Sequence, residues 1–156
     1  MIKTIISFSA GFFLCWALFY GAFYFGASVP LGDSSLGSVS APSDWVSEKL
    51  IEVTKDGVII KIPKASISRY APTGSMRPVL DKGANGIRIV PNSPDSIKVG
   101  DIVSYKSSSG LIVHRVVEKG TDSKGTYFLV KGDNNAFADG KIRFKDIKYV
   151  TVGVIW

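Results

Sequence analysis

The sequence has very little sulfur and imidazole: of 156 residues, one is cysteine and one is histidine. A single cysteine excludes an intramolecular disulfide framework and every zinc-ribbon spacing. A single histidine excludes a multi-histidine metal centre, and nothing in the chain calls for a metal or an organic cofactor. Charge is missing from one whole segment. Between Thr4 and Gly32 there is no charged side chain, while 18 of the 19 bases and all 13 acids follow it. Disorder is excluded by 12% aromatics and a modest 21% of charged residues. No internal repeat, coiled coil or long helical period is present after residue 55.

The uncharged run has its own meaning. Ile5 to Val29 is rich in Phe, Ile, Ala and Leu and carries Cys15 inside it, where packing against lipid is its simplest role. As a helix it would be roughly 37 Å long, more than the ~30 Å hydrocarbon core of a bilayer. The competing reading is a cleavable signal peptide, with small residues at Gly26-Ala27-Ser28, but hydrophobic regions of such peptides usually run only about 7–15 residues. A retained anchor over residues 1–32 is therefore expected. Lys3 and the α-amino group precede the run and Asp33 and Asp44 follow it, which places the N-terminus in the cytoplasm and the rest outside it.

Residues 33–56 read as a linker and a short juxtamembrane helix. Leu31 to Ser43 is rich in Gly and Ser. In the following DWVSEKLIEV, Val46, Leu50 and Val53 fall at helical spacing. Trp45 would either rest on a membrane surface or pack against the domain.

Residues 57–156 read as a mainly β domain. GVIIKI, NGIRIV, DIVSYK, LIVHRVVE, TYFLVKG and YVTVGVIW are β-branched or aromatic runs separated by Gly, Pro, Asn and Ser turns. A folded-over or barrel-like antiparallel sheet is expected. The net charge of +6 does not indicate a nucleic-acid partner. The bases Lys61, Lys64, Arg69, Arg88, Lys98 and Lys106 are dispersed, and no aromatic-basic motif of an RNA-binding sheet occurs. Anionic lipid headgroups are the better match for them.

Three stretches carry candidate chemistry. In Thr73-Gly74-Ser75-Met76-Arg77-Pro78 a serine follows a residue with no side chain, which lets backbone amides face an incoming carbonyl; the same residues also make an ordinary turn. In Leu111–Val117 the alternation puts His114 on one face of a strand and Val113 and Arg115 on the other. This sole imidazole is the best available general base for a serine, although a lone strand histidine can equally be structural. Lys131–Gly140 is a Gly/Asn/Asp loop whose carboxylates could orient that imidazole. Asp133 and Asp139 both qualify by type, Asp146 is a weaker third candidate, and spacing does not choose among them.

The order TGSMRP, VGDIVSYK, IVHRVVE, KGDNNAFAD, running from Ala71 to Asp139, resembles the type I signal peptidases. The similarity is greatest to their archaeal and endoplasmic-reticulum branch. That resemblance implies a signal-peptidase-like antiparallel β domain behind one N-terminal transmembrane helix. It further implies a serine endopeptidase acting on signal-peptide-bearing precursors at a membrane, with secretion machinery as a further candidate partner. By the same resemblance Ser75 is the nucleophile and His114 the general base. Asp139 is the triad acid, Thr73 supports the oxyanion hole, and Asp133 either shapes the loop or supports His114. Two features depart from the pattern: Ala138 stands where relatives often have a second acid, and about 45 residues separate the anchor from Ser75. Two alternatives stand beside this reading. One is a Ser/Lys self-cleaving peptidase of the repressor type, using Lys106 or Lys131. The other is a catalytically silent, membrane-tethered module that binds peptides.

Overall fold

The computed structural model describes residues 39–156, and Val39–Trp156 forms one compact unit. The expected membrane span and the linker residues before Val39 lie outside the described residues. Among the described residues no helix is long and apolar enough to cross a membrane.

Among the described residues nine strands follow one another, joined by turns, loops and three 3-10 turns. They are β1 (Ile51–Thr54), β2 (Gly57–Ile60), β3 (Ser66–Arg69), β4 (Asn85–Ile89) and β5 (Ile102–Ser107), then β6 (Gly110–Asp122), β7 (Gly125–Lys131), β8 (Gly140–Ile142) and β9 (Ile147–Ile155). β1 and β2 make a separate two-stranded sheet, and the other seven are ordered β3-β4-β9-β5-β6-β7-β8. Every pairing is antiparallel. The mainly β reading is thus observed, and each of its six runs contributes a strand.

The helix expected around Val46–Val53 is not formed. A single 3-10 turn, Glu48–Leu50, leads into β1. Ile51, Val53 and Thr54 are β-branched and stiff at χ1, which suits a strand better than a helix. Across the Lys55-Asp56 turn they meet β2 in register, Ile51 opposite Ile60 and Val53 opposite Val58. Ten residues with no side-chain cap at the turn's start cannot outweigh that local pairing. Of the two roles open to Trp45, packing on the domain is the one observed.

The main core is built from Ile97, Val103, Tyr105, Val116, Phe128, Val130, Ile147 and Val150, with Trp45 and Phe144 against its rim. β5 lies between β9 and β6 and is buried along its first four residues, Ile102–Tyr105, so it reads as a nearly unbroken apolar run. β6 is 13 residues long and changes partner along its length. Gly110–Arg115 pair with β5, and Arg115–Asp122 pair with β7. A register shift between Val116 and Glu118 marks a bulge that bends the strand there. A second, smaller cluster of Met76, Leu80 and Ile102, with Tyr70, Val113 and Val154 beside it, underlies the Thr73–Leu80 segment.

The first described residues, Val39–Ser43, are held at definite points. Ser43 N donates to Asp101 Oδ1 at 2.7 Å and Arg115 Nη1 donates to the Ser40 carbonyl at 3.3 Å. Gly100 faces the Ala41 carbonyl so closely that a Cβ would lie 1.9 Å from its oxygen, so only glycine fits beneath this segment.

Candidate active site

Ser75 stands in a turn whose shape its neighbours dictate. Gly74 has φ +70°, a left-handed conformation that suits glycine, and Arg77 N closes the turn on the Gly74 carbonyl at 3.2 Å. Met76 and Leu80 point into the small apolar cluster and pin the segment from below. The loop after β7 holds it from the side: Asn134 N donates to the Ser75 carbonyl at 2.9 Å, and Asn134 Nδ2 to the Gly74 carbonyl at 3.2 Å. Gly132 is required for that approach, since a Cβ there would lie 2.6 Å from the Ser75 carbonyl oxygen.

His114 projects from β6 and is only 6% exposed. Its Nε2 lies 3.2 Å from Ser75 Oγ, within hydrogen-bond reach, and its Nδ1 is hydrogen-bonded to Asp139 Oδ2. Asp139 enters β8 with its backbone N–H on the Val130 carbonyl at 2.9 Å. A hydroxyl, an imidazole and a carboxylate are therefore joined in series through the two ring nitrogens. Thr73 Oγ1 lies 3.2 Å from Ser75 Oγ and accepts a long bond from Ser75 N at 3.4 Å, so a hydroxyl and an amide sit together beside Ser75 Oγ.

Asp133 is placed elsewhere. Its carboxylate takes two parallel bonds from Arg115, Nε to Oδ1 at 2.8 Å and Nη2 to Oδ2 at 2.7 Å, and both side chains are 5% exposed. Asp146 accepts the Arg143 backbone N–H at 3.0 Å in a 3-10 turn and has no part in the cluster. Of the three carboxylates, Asp139 alone meets His114.

Sequence reasoning gave no role to three residues. Tyr105 Oη donates to Asp139 Oδ2 at 2.5 Å, alongside the imidazole. Burial first, and then its bond to the Asp139 carboxylate, push the Tyr105 hydroxyl far above the usual tyrosine range, so it stays a donor at any working pH. Asn134 clamps the Gly74-Ser75 turn, and Arg115 holds the loop through Asp133. Tyr105 and Asn134 lie within the quoted motifs, but which of their atoms meet across the sheet is a tertiary matter.

A cleft of about 520 Å³ opens onto Ser75 and His114. One wall is Ser68–Ala71 at the end of β3; the other is Leu111–Val113 of β6, with Met76 and Leu80 beneath. β3 is an edge strand, and the Gly110–His114 half of β6 pairs with β5 alone among the described residues. Each wall thus offers a row of backbone groups with no sheet partner. Lys106 and Lys131 do not line this cleft.

Comparison with known proteins adds a relationship. The chain is 39% identical over 80 residues to the signal peptidase complex catalytic subunit SEC11 of Candida albicans, covering 50% of this chain and 47% of the relative. The same figures hold for the subunit of that name in Scheffersomyces stipitis. In Clavispora lusitaniae the identity is 41% over 69 residues, 43% of this chain and 40% of the relative. Half of this chain is homologous to signal peptidase catalytic subunits. The chain spans about half the length of the curated relatives it matches. No family model matches the chain. No solved structure matches it. The family that the four motifs resemble is the one these relatives' names give.

Proposed function

We propose that this chain is a membrane-anchored serine endopeptidase that removes signal peptides from exported precursors. The observation that carries the chemistry is the series Ser75 Oγ, His114, Asp139, with one ring nitrogen committed to each neighbour. The relatives' names carry the substrate class.

In this reading His114 Nε2 takes the proton from Ser75 Oγ as the oxygen attacks the peptide carbonyl. The imidazolium then gives it to the leaving amine, and water repeats the cycle on the acyl-enzyme. Asp139 keeps the proton on Nδ1, so that Nε2 is free to accept, and stabilises the imidazolium once it forms. The Ser75 amide and Thr73 hydroxyl turn from each other toward the developing oxyanion, their mutual bond being long and readily exchanged. Asp133, neutralised by Arg115, fixes the loop and leaves the imidazole to Asp139. The substrate lies extended in the cleft, paired with the edges of β3 and β6, small side chains filling shallow pockets near Ser75. The uncharged Ile5–Val29 run serves as the anchor, with the N-terminus cytoplasmic and the β domain on the other side. Secretion machinery and anionic lipid are the further partners of this reading.

The test is cleavage of a model secretory precursor by the full chain in liposomes. Wild type should release the mature product, and Ser75→Ala or His114→Ala should lower turnover by a factor on the order of 10⁶. Undiminished cutting by His114→Ala would transfer the base to a lysine. A folded but silent wild type would leave peptide binding as the function.

A further inference from the structure

The structure assigns Tyr105 as a positioning residue of this site: its phenol holds Asp139 Oδ2 in the place from which that oxygen orients His114. The inference rests on the peptidase reading for its consequence in turnover, while its structural content concerns the Tyr105–Asp139–His114 series alone.

Tyr105 is unusually well fixed. Its ring belongs to the main core, packed with residues such as Val103 and Phe128, and the residue is 4% exposed. It sits on β5 opposite Ile112 of β6, two residues before His114, with the two ring centroids 6.5 Å apart. Its hydroxyl reaches Asp139 Oδ2, the same oxygen that takes the imidazole Nδ1. Asp139 needs such a hold: it lies at the end of a loop of Gly, Asn and Ala, and its side chain is 26% exposed, open to competing water. A carboxylate rotating about χ2 can present either oxygen, and broad two-fold torsions of this kind are set by their hydrogen bonds. Two donors converging on one oxygen, one of them rooted in the core, select a single orientation. The phenol is a suitable donor because burial beside a carboxylate keeps it protonated. Without it, Asp139 is free to turn toward solvent, and His114 loses the partner that keeps its proton on Nδ1.

His114 is the chain's sole histidine, so its imidazole nitrogens can be observed without interference. The experiment is ¹⁵N NMR of histidine-labelled full chain in detergent micelles, comparing wild type, Tyr105→Phe and 3-fluorotyrosine placed at position 105. Phenylalanine keeps the ring and its packing; fluorotyrosine also keeps the hydroxyl. Wild type and the fluorotyrosine protein should show a protected Nδ1–H. In Tyr105→Phe that proton should exchange with water at least tenfold faster, with a larger share of the Nε2–H tautomer. Ile97→Ala, a core change with no bond to Tyr105, Asp139 or His114, controls for lost stability and should leave the resonance in place. On precursor, Tyr105→Phe should lower kcat about tenfold with little change in KM, and should add nothing further on an Asp139→Asn background. Equal Nδ1–H protection in the phenylalanine and wild-type proteins would overturn the assignment, as would a full additive loss of kcat on the Asp139→Asn background. A silent wild type would overturn the peptidase reading alone, because the NMR comparison needs no substrate.

Discussion

At the scale of single residues, the site depends on which carboxylate His114 and Arg115 each take. Asp133 and Asp139 stand six positions apart in one loop, and either could have met the imidazole as far as spacing goes. The choice is made by Arg115, the neighbour of His114 on β6, whose guanidinium points the other way and captures Asp133 bidentately. It also donates to the carbonyls of Gly100 and Ser40. Alternation on the strand made the opposite facing of His114 and Arg115 legible in the sequence. The identity of Arg115's partner was not, because it depends on how the β7–β8 loop crosses the sheet. Removing the arginine strands a buried carboxylate, and breaking such a pair costs about 3–5 kcal/mol. Arg115→Ala should therefore lower the unfolding free energy by an amount of that order, read as a lower urea midpoint at unchanged m-value. Arg115→Met combined with Asp133→Leu should recover much of the loss. A single variant as stable as wild type would show that the pair does not hold the loop.

At the scale of elements, the long runs announced themselves and the short ones did not. β2, β4, β5, β6, β7 and β9 all lie within runs that alternate or are continuously β-branched. β3 (SISR) and β8 (GKI) carry too few apolar residues to show a period, and they exist because a neighbour offers an edge. β1 was legible only as spacing, and its helical spacing lost to pairing with β2. The far end of the β6–β7 hairpin shows how a charge fixes such an element. Arg143 donates two bonds to Asp122, at 3.0 and 2.9 Å, and further bonds to the carbonyls of Gly125 and Thr126. The Arg143 guanidinium, then the Lys124 amide, hold the Asp122 carboxyl down at about 2. A depressed folded-state value means that this stabilisation is present above the ordinary carboxylate range and is lost as pH falls from about 4 to about 2. Asp122→Asn should therefore lower the thermal midpoint at neutral pH, and the gap to wild type should close progressively across that interval. A gap that stayed constant down to pH 2 would detach the hairpin's acid sensitivity from this pair.

At the scale of the whole described unit, the sheet leaves two rows of backbone groups facing one cleft. A sheet normally protects its edges, by shortness, charge or cover. Here β3 is an edge, and the first half of β6 lacks a second partner among the described residues, and both border Ser75. A peptide lying between them would alternate its amides toward one wall and then the other. That geometry separates main-chain recognition from recognition by side chains. An extended peptide that binds the Ser75→Ala protein can be N-methylated at every second residue in either of two registers, with its side chains unchanged. Each register removes the peptide's N–H donors to one wall. Two lost hydrogen bonds at about 1 kcal/mol apiece weaken binding by roughly tenfold or more. Both methylated peptides should therefore bind more weakly than the parent by at least that factor, measured as Kd by fluorescence anisotropy. If only one register weakens binding, the peptide is an added strand on a single edge. If neither does, the cleft holds its ligand by side chains, and the open backbone of β3 and β6 has no part in recognition.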